Sequence, residues 1–423
     1  MKTVMTDPQV LADALYIAGC FHTSNIGRYY KSVGFCCHNY LENLMTRMLR
    51  KINEMHLYVT SHCNMGCLYC SDSTKRAKLT GNQFMKIETA KKFVDLIFSN
   101  SKQGYIDVVF HGGEPTLQTL EWYQLLIDHI EHQASNYNIE VKLAMQSNCM
   151  AISNEYMDLF KKRKITVGAS MDGPPDIHNL TRGKGEEVLA NILRLQEVNR
   201  LGGVICVITD CNCDEISTIL QFFENMGLFS ISFNIFYSVG NGNQLPPLSA
   251  QKIFDTYRMT YEYMKATAGK KVIERSVSIM LSKYVKPLTK EENLKNLNCY
   301  SPFCHAGILN IICDTDGNLF PCGCSDYPKF KLGSIYSLDR DHYLKTLRVL
   351  HEKHDNYSQN CNNCFANSIC SFSCPAFREE DPVTEKHLCE ATKMFYRFLE
   401  TEPPEVVAEI AVASNVKHGR KDN

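Results

Sequence analysis

Apolar and polar positions divide the chain into a mixed start, a long alternating middle and a cysteine-rich end. Between Met55 and about Tyr237, short β-rich runs alternate with segments of amphipathic helical period. The runs His56–Thr60, Tyr105–Phe110, Val141–Gln146, Thr166–Ser170, Val204–Thr209 and Ile231–Phe236 predict strands. Between them, Ile87–Phe98, Leu120–Glu131, Glu187–Val198 and Asp214–Met226 predict helices. Six such β-then-α units require right-handed crossovers and hence a parallel sheet. A sheet of this kind gathers its functional loops at the carboxyl ends of its strands. Further on, Asn241–Pro247 reads as a loop and Ser249–Ala268 as a helix.

The flanks read differently. Residues 1–54 are mixed and partly helical, with a polar–apolar stretch over Tyr40–Ile52 and no motif of recognisable chemistry. From Asn298 to Cys389 periodicity fades as cysteines crowd in, which predicts a small region organised by metal rather than by a large apolar core. Past Glu400 the sequence turns polar and predicts a frayed tail, with at most a short helix over Val406–Val412. The expected organisation is an N-terminal extension (1–54), a barrel-forming region (55–240), a helical connection (241–297), the cysteine-rich region (298–400) and a tail (401–423).

Charge and cysteine content narrow the classes. Forty-five basic and 46 acidic residues leave a formal charge of −1, so no basic field draws in nucleic acid or a membrane surface. No apolar run of membrane-spanning length and no signal peptide at Met1 are found, making the cytoplasm the default compartment. Twenty cysteines in a chain of 423 residues without an export signal do not suit a secreted disulfide scaffold. In a reducing compartment, cysteines at tight, regular spacing read as metal ligands.

Cys63, Cys67 and Cys70 follow the first predicted strand with spacing C-x3-C-x2-C. A four-iron cubane normally takes four thiolates, so three in one short loop leave one iron open to a reactant. A structural zinc site with a distant fourth cysteine, or a redox-active thiol pair, are the competing readings of the spacing alone.

The triplet, with Tyr69 directly before its last cysteine, resembles the signature of the radical S-adenosylmethionine superfamily. The resemblance extends over roughly Met55–Phe236. Gly112, Gly113, Glu114 and Pro115 after the second strand resemble the family's contact to the methionine amine. Gln146, Ser147 and Asn148 resemble the polar end of its third strand. Ser170, Met171, Asp172, Gly173 and Pro174, followed by His178 and Arg182, resemble its fourth-strand motif. The resemblance implies an α/β fold, a partial (β/α)6 TIM-like barrel, with a 4Fe–4S cluster on Cys63, Cys67 and Cys70. It implies S-adenosylmethionine bound to the open iron and cleaved reductively to a 5′-deoxyadenosyl radical that abstracts hydrogen from a substrate. Tyr69, Gly112, Gly113, Glu114, Asn148, Ser170 and Arg182 are the implied cofactor contacts, while His111 and His178 position loops.

Downstream, Cys361, Cys364, Cys370 and Cys374 give C-x2-C-x5-C-x3-C, while Cys304 and Cys322 bracket Gly317 as C-x12-G-x4-C. A zinc-ribbon-like module is the competing reading. The combined order resembles the SPASM extension of radical peptide-modifying enzymes, a small cysteine-rich domain with two auxiliary 4Fe–4S clusters. The resemblance assigns Cys299, Cys304, Cys322 and Cys374 to one cluster, and Cys361, Cys364, Cys370 and Cys389 to the other. Cys313 and Cys324 stand as alternatives to Cys299, as does an open iron in that first auxiliary cluster.

The SPASM resemblance points to a ribosomally made peptide or protein substrate and to an external low-potential electron donor of the flavodoxin or ferredoxin kind. Oxidative crosslinking of side chains, through thioether or carbon–carbon bonds, is the leading expectation. The alternative is oxidation of a cysteine or serine to formylglycine, as in anaerobic sulfatase maturation. Those relatives place an acidic residue after the equivalent of Cys322, where this chain has Gly323 with Asp326 nearby, and glutamine where it has His111. An electron-transfer or zinc-binding protein is the expectation from another class.

Overall fold

The structure is a computed structural model that describes residues 45–73, 83–289, 299, 304–325, 328–359, 361–371 and 374–418. Residues 1–44, with Cys20, Cys36, Cys37 and most of the expected N-terminal extension, lie outside the described residues, as does Asp326.

All six expected strands form: β1 (Glu54–Thr60), β2 (Tyr105–Gly112), β3 (Glu140–Ser147), β4 (Thr166–Ser170), β5 (Leu201–Ile208) and β6 (Ser230–Ile235). They pair in sequence order and all in parallel. In β1 the alternation is explicit: Met55, Leu57 and Val59 are fully buried, whereas Glu54, His56 and Tyr58 occupy the other face. The crossovers carry helices α1 (Ile87–Asn100), α2 (Leu120–Tyr137), α3 (Asn154–Lys162), α4 (Gly185–Glu197) and α5 (Ile216–Asn225). Their apolar stripes, such as Phe93, Val94, Ile97 and Phe98 of α1, close the core. Serine and threonine caps start several of them, with the Thr119 and Ser153 side chains accepting from Trp122 and Tyr156 backbone N–H groups.

Beyond the six units the sheet continues. Strand β7 (Ile273–Glu274) extends it past β6, and β8 (Asn310–Cys313) joins it beside β1, also in parallel. Strands β9 (Asn318–Phe320) and β10 (Gly333–Ser334) then add antiparallel edges, for the order β10-β9-β8-β1-β2-β3-β4-β5-β6-β7. The chain around the cysteines is therefore fused to the barrel sheet, and Ile311, Cys313 and Leu319 belong to the main core. All four residues of β8 are buried, so the strand carries no alternation to read in the sequence.

Helices α6 (Ala250–Ala266) and α7 (Arg275–Val285) form the connection, and α8 (Arg340–Gln359) and α9 (Pro382–Leu399) frame the cysteine-rich region. The expected frayed tail is instead a docked helix, α10 (Pro404–His418). Val407, Ile410, Ala411 and Ser414 follow the i, i+3, i+4, i+7 stripe and are buried where α10 packs on α7. Burial of that stripe outweighs the polarity of the opposite face. Among the described residues no helix is long and apolar enough to cross a membrane.

Candidate active site

The loop after β1 carries Cys63, Cys67 and Cys70, and segments that follow β2, β4 and β6 hold it. From β2, the Gly113 N–H donates to the Thr60 carbonyl at 2.8 Å and the Glu114 N–H to that of His62 at 2.7 Å. Gly112 turns the chain there with φ +129°. A Cβ on Gly113 would overlap the His62 carbonyl oxygen and press on that of Ser61, both backbone atoms of the cysteine loop. Gly113→Ala is therefore expected to displace the loop and destabilise the fold by about 1–3 kcal/mol, measured as a lower midpoint of urea unfolding.

Glu114 is fully buried and acts as the knot of this region. One carboxylate oxygen accepts from the Thr116 N–H (3.0 Å), the Thr116 hydroxyl (2.7 Å) and the Ser147 hydroxyl (2.9 Å). The other accepts from the Asn148 N–H at 2.7 Å. Burial pushes its pKa up while these donors pull it down. Asn148 is thereby fixed so that its amide nitrogen lies 2.8 Å from Asn64 Oδ1 and 3.7 Å from Cys63 Sγ.

A second network comes from β4 and the residues after it. Asp172, fully buried, accepts from the Tyr69 hydroxyl (2.5 Å), the Thr181 hydroxyl (2.8 Å), Arg182 Nε (3.2 Å) and the Val207 N–H (2.9 Å). The Arg182 guanidinium sits 5.1 Å from the Tyr69 ring centroid, and its Nη1 is 3.7 Å from Cys67 Sγ. Burial works against the Arg182 charge, but Tyr69 and Asp172 more than offset it and hold its pKa above the ordinary value. For Cys67, burial raises the thiol pKa and Arg182 opposes that rise. Ser170 is buried and accepts from Gln146 Nε2 at 3.1 Å. His178 is buried too, its Nδ1 accepting from the Asp172 N–H at 3.1 Å.

The third support was not foreseen from the sequence. The turn after β6, which the sequence presents only as a loop, closes on Cys70. The Asn241 N–H donates to the Cys70 carbonyl at 3.0 Å and its side chain to the Cys67 carbonyl at 3.2 Å. Gly240 allows this approach, since it has φ +62° and a Cβ there would overlap the Cys70 carbonyl oxygen. The same turn is tied to α9, with the Ser238 N–H donating to Asp381 at 2.6 Å and the Tyr237 hydroxyl to Glu385 at 2.8 Å. The cysteine loop and the C-terminal region are thus joined through the five residues Tyr237–Asn241.

This donor set fits an iron–sulfur cluster. Three thiols share one loop, and N–H groups of Asn148 and Arg182 are directed at two of the sulfurs. Among the described residues no three or more His, Cys, Asp or Glu side chains converge as the shell of a single ion, whereas a cubane spreads its thiolates over separate irons.

The C-terminal thiols fall into two groups. Cys304, Cys322 and Cys374 pack, together with Cys324, on a small apolar cluster of Ala306, Phe330, Leu350 and Ala376. Cys299 is exposed, with its Sγ 3.4 Å from His305 Nε2. Cys313 lies apart, buried in β8 opposite Leu57 of β1. In the other group, Cys361 and Cys364 share a turn, Cys361 neighbours Cys389 of α9, and all three lie near Lys393, one helical turn after Cys389. Cys370 lies at the end of the same turn segment beside Lys283 of α7, whose Nζ donates to the Ser371 hydroxyl at 2.9 Å. Burial lowers the Lys283 pKa to about 8, with Cys370 pulling the other way. Cys149 and Cys206 are fully buried core residues.

Known proteins fit this geometry. The cysteine-type anaerobic sulfatase-maturating enzyme of Clostridium perfringens is 24% identical over 368 residues, 80% of this chain and 94% of that one. Native anSMEcpe with bound AdoMet and Cp18Cys peptide has the same fold, with a TM-score of 0.72 at 19% identity over 86% of this chain and 99% of that one. Streptococcus suis SuiB bound to precursor peptide SuiA gives a TM-score of 0.57 at 12% identity over 85% of each chain. Residues 57–223 match the model of the Radical SAM superfamily. That match spans the strands and loops that gather around Cys63, Cys67 and Cys70, and this part of the chain is accordingly a radical SAM domain.

Proposed function

We propose that this enzyme oxidatively modifies a peptide, joining side chains of a ribosomally made precursor through a thioether or carbon–carbon bond. The observation that carries the reading is the gathering of further thiols, Cys304, Cys322 and Cys374 in one group and Cys361, Cys364 and Cys389 in another, on the region fused to the barrel beside β1. Oxidative coupling must remove a second electron after hydrogen abstraction, and two auxiliary clusters on these thiols offer a route for it. Peptides bound in anSMEcpe and SuiB support a peptide as the substrate class.

When bound, a cluster on Cys63, Cys67 and Cys70 with S-adenosylmethionine at its open iron supplies the hydrogen-abstracting radical. Around it, Gly112 and Gly113 keep the loop close to β2, and Glu114 orders Ser147 and Asn148 at the end of β3. Arg182 holds positive charge beside Cys67, with Asp172 and Tyr69 fixing its plane. With Tyr69 and Ser170 these residues would line the S-adenosylmethionine site, and a flavodoxin- or ferredoxin-type donor would reduce the cluster.

A second reading, oxidation of cysteine or serine to formylglycine, draws on the relationship to the sulfatase-maturating enzymes. Gly323, which follows Cys322 where that chemistry uses an acid, speaks for crosslinking. Anaerobic turnover with a cysteine-containing peptide encoded beside the gene, and separately with a sulfatase-derived peptide, decides between them by mass spectrometry. Crosslinking predicts loss of two hydrogens and a fragment spectrum joined at two residues. Replacement of a cysteine thiol by a carbonyl oxygen in the sulfatase peptide would favour the second reading, and unmodified peptides under active S-adenosylmethionine cleavage would reject both.

A further inference from the structure

We propose that His56 and Glu54 form a proton relay for peptide crosslinking. The relay takes the released proton from His111, near the end of β2, and passes it to solvent at the start of β1. The inference rests on the crosslinking reading and adds the residues that clear its proton.

Inner strands of a parallel sheet are ordinarily buried on both sides and run nearly continuously apolar. Strand β1 lies between β2 and β8, inside the ten-strand order, yet Glu54, His56 and Tyr58 occupy one of its faces. Buried polar groups are costly unless they are partnered, and these are. His56 Nε2 lies 2.6 Å from Glu54 Oε1, and the Asn310 side-chain amide of β8 donates to the same oxygen at 3.1 Å. An ionised carboxylate only accepts, so His56 Nε2 carries the proton and Nδ1 is the nitrogen that takes up another.

The pair connects to both ends of the strand. His111 is the register partner of Tyr58 and directly precedes Gly112 and Gly113, beside the cysteine loop. Its ring centroid is 5.1 Å from that of Tyr58 and 6.2 Å from that of His56, a separation that one water molecule spans. In the other direction, Glu54 begins β1 with its side chain 36% exposed, against 18% for His56. From Tyr58 to Glu54 the strand covers roughly 13 Å.

Charge favours this direction. The titratable groups facing His56 are Glu54, Tyr58, His111 and His305, with Arg275 of α7 and the register partner Asp107 of β2 beside Glu54. Burial raises the Glu54 pKa, but His56, His305 and Arg275 outweigh it and keep the carboxylate below its ordinary value. An ionised Glu54 stabilises His56 while the ring holds two protons.

In crosslinking, the substrate carbon that gives its hydrogen atom to the 5′-deoxyadenosyl radical bonds to a partner sulfur or carbon. The partner's own hydrogen leaves as a proton, taken by His111, and the remaining electron goes to an oxidised auxiliary four-iron cluster. Transfer from His111 to His56 Nδ1, with loss of the Nε2 proton to Glu54 and then to solvent, returns His111 to its neutral form.

The test compares the full chain, loaded with its clusters, with His56→Gln and Glu54→Gln on the cysteine-containing peptide encoded beside the gene. Glutamine can keep a hydrogen bond to Glu54 but cannot move a proton. His56→Gln should lower crosslinked peptide per deoxyadenosine by about a hundredfold, the low end of what a positioned proton-transfer group contributes. Added imidazole should restore part of that loss, whereas a tie that merely joins β1 to β8 would not respond to it. In oxidised enzyme carrying isotope-labelled histidine, the magnetic resonance signal lost in His56→Gln should report the Nε2-protonated tautomer and should change in Glu54→Gln. Undiminished product in His56→Gln, a loss that imidazole does not relieve, or an Nδ1-protonated His56 overturns the relay. A parent chain that makes no crosslinked peptide refutes the crosslinking reading and the relay together, whichever tautomer is found.

Discussion

Replacing Cys63, Cys67 and Cys70 together by alanine is expected to reduce 5′-deoxyadenosine formation to the enzyme-free background. The three thiols lie on one loop whose backbone is held from β2, from the segment after β4 and from the turn after β6. Between Cys63 and Cys70 the other side chains are Asn64, Met65, Leu68 and Tyr69, none of which can replace a lost iron ligand, and the neighbouring His62 is hydrogen-bonded to Gln83. The loss is therefore complete rather than graded. The contrast lies in the C-terminal region: Cys304→Ala with Cys322→Ala, or Cys361→Ala with Cys364→Ala, should leave deoxyadenosine formation measurable while peptide product disappears. Quantifying deoxyadenosine and modified peptide in the same reactions separates the two behaviours. If the auxiliary variants lose deoxyadenosine as fully as the triple variant, the proposed division of labour between the two regions is wrong.

Asp172→Asn is expected to destabilise the fold by about 3–5 kcal/mol, because it leaves the Arg182 cation buried without its counter-charge. Asp172 is fully buried and serves four donors at once, two of them from Tyr69 and Arg182, which frame Cys67. Asparagine preserves the volume but supplies one acceptor oxygen and two new N–H groups that must face existing donors. The effect should be read as a lower midpoint in urea unfolding of the anaerobic protein. Removing the cation as well, in Asp172→Asn with Arg182→Met, should restore part of the loss, since removing both partners avoids an unpaired buried charge. Stability close to that of the parent chain in the single variant would show that Arg182 is not held by this carboxylate. S-adenosylmethionine cleavage should also fall in both variants, because Arg182 either loses its fixed pose beside Cys67 or is absent.

The barrel was largely legible in the chain itself. Alternation such as Met55, Leu57, Val59 against Glu54, His56, Tyr58 arises because one strand face is fully buried and the other only partly, and that pattern survives as residue order. The thiol triplet was legible for a different reason: ligands of one cluster supplied by one loop must lie a few residues apart. Strand β8 and helix α10 were not read correctly. The former is buried on both faces and shows no period, and the latter has a four-residue stripe diluted by Glu405 and Glu409. Asp172 was recognised as part of a motif, but its role as the hub for Tyr69, Thr181, Arg182 and Val207 depends on which strands are neighbours.

By itself the sequence determined the order of six β–α units, the three-thiol loop after the first and the existence of a second cysteine field. These are properties of short windows, where spacing along the chain is spacing in space. The tertiary structure alone decided that Asn241 reaches back to Cys67 and Cys70, that β8 extends the barrel sheet beside β1, and that Cys324 shares a floor with Cys304, Cys322 and Cys374. Each of these contacts joins segments tens to hundreds of residues apart. Their pairing is set by how strands and helices pack, which no local pattern encodes.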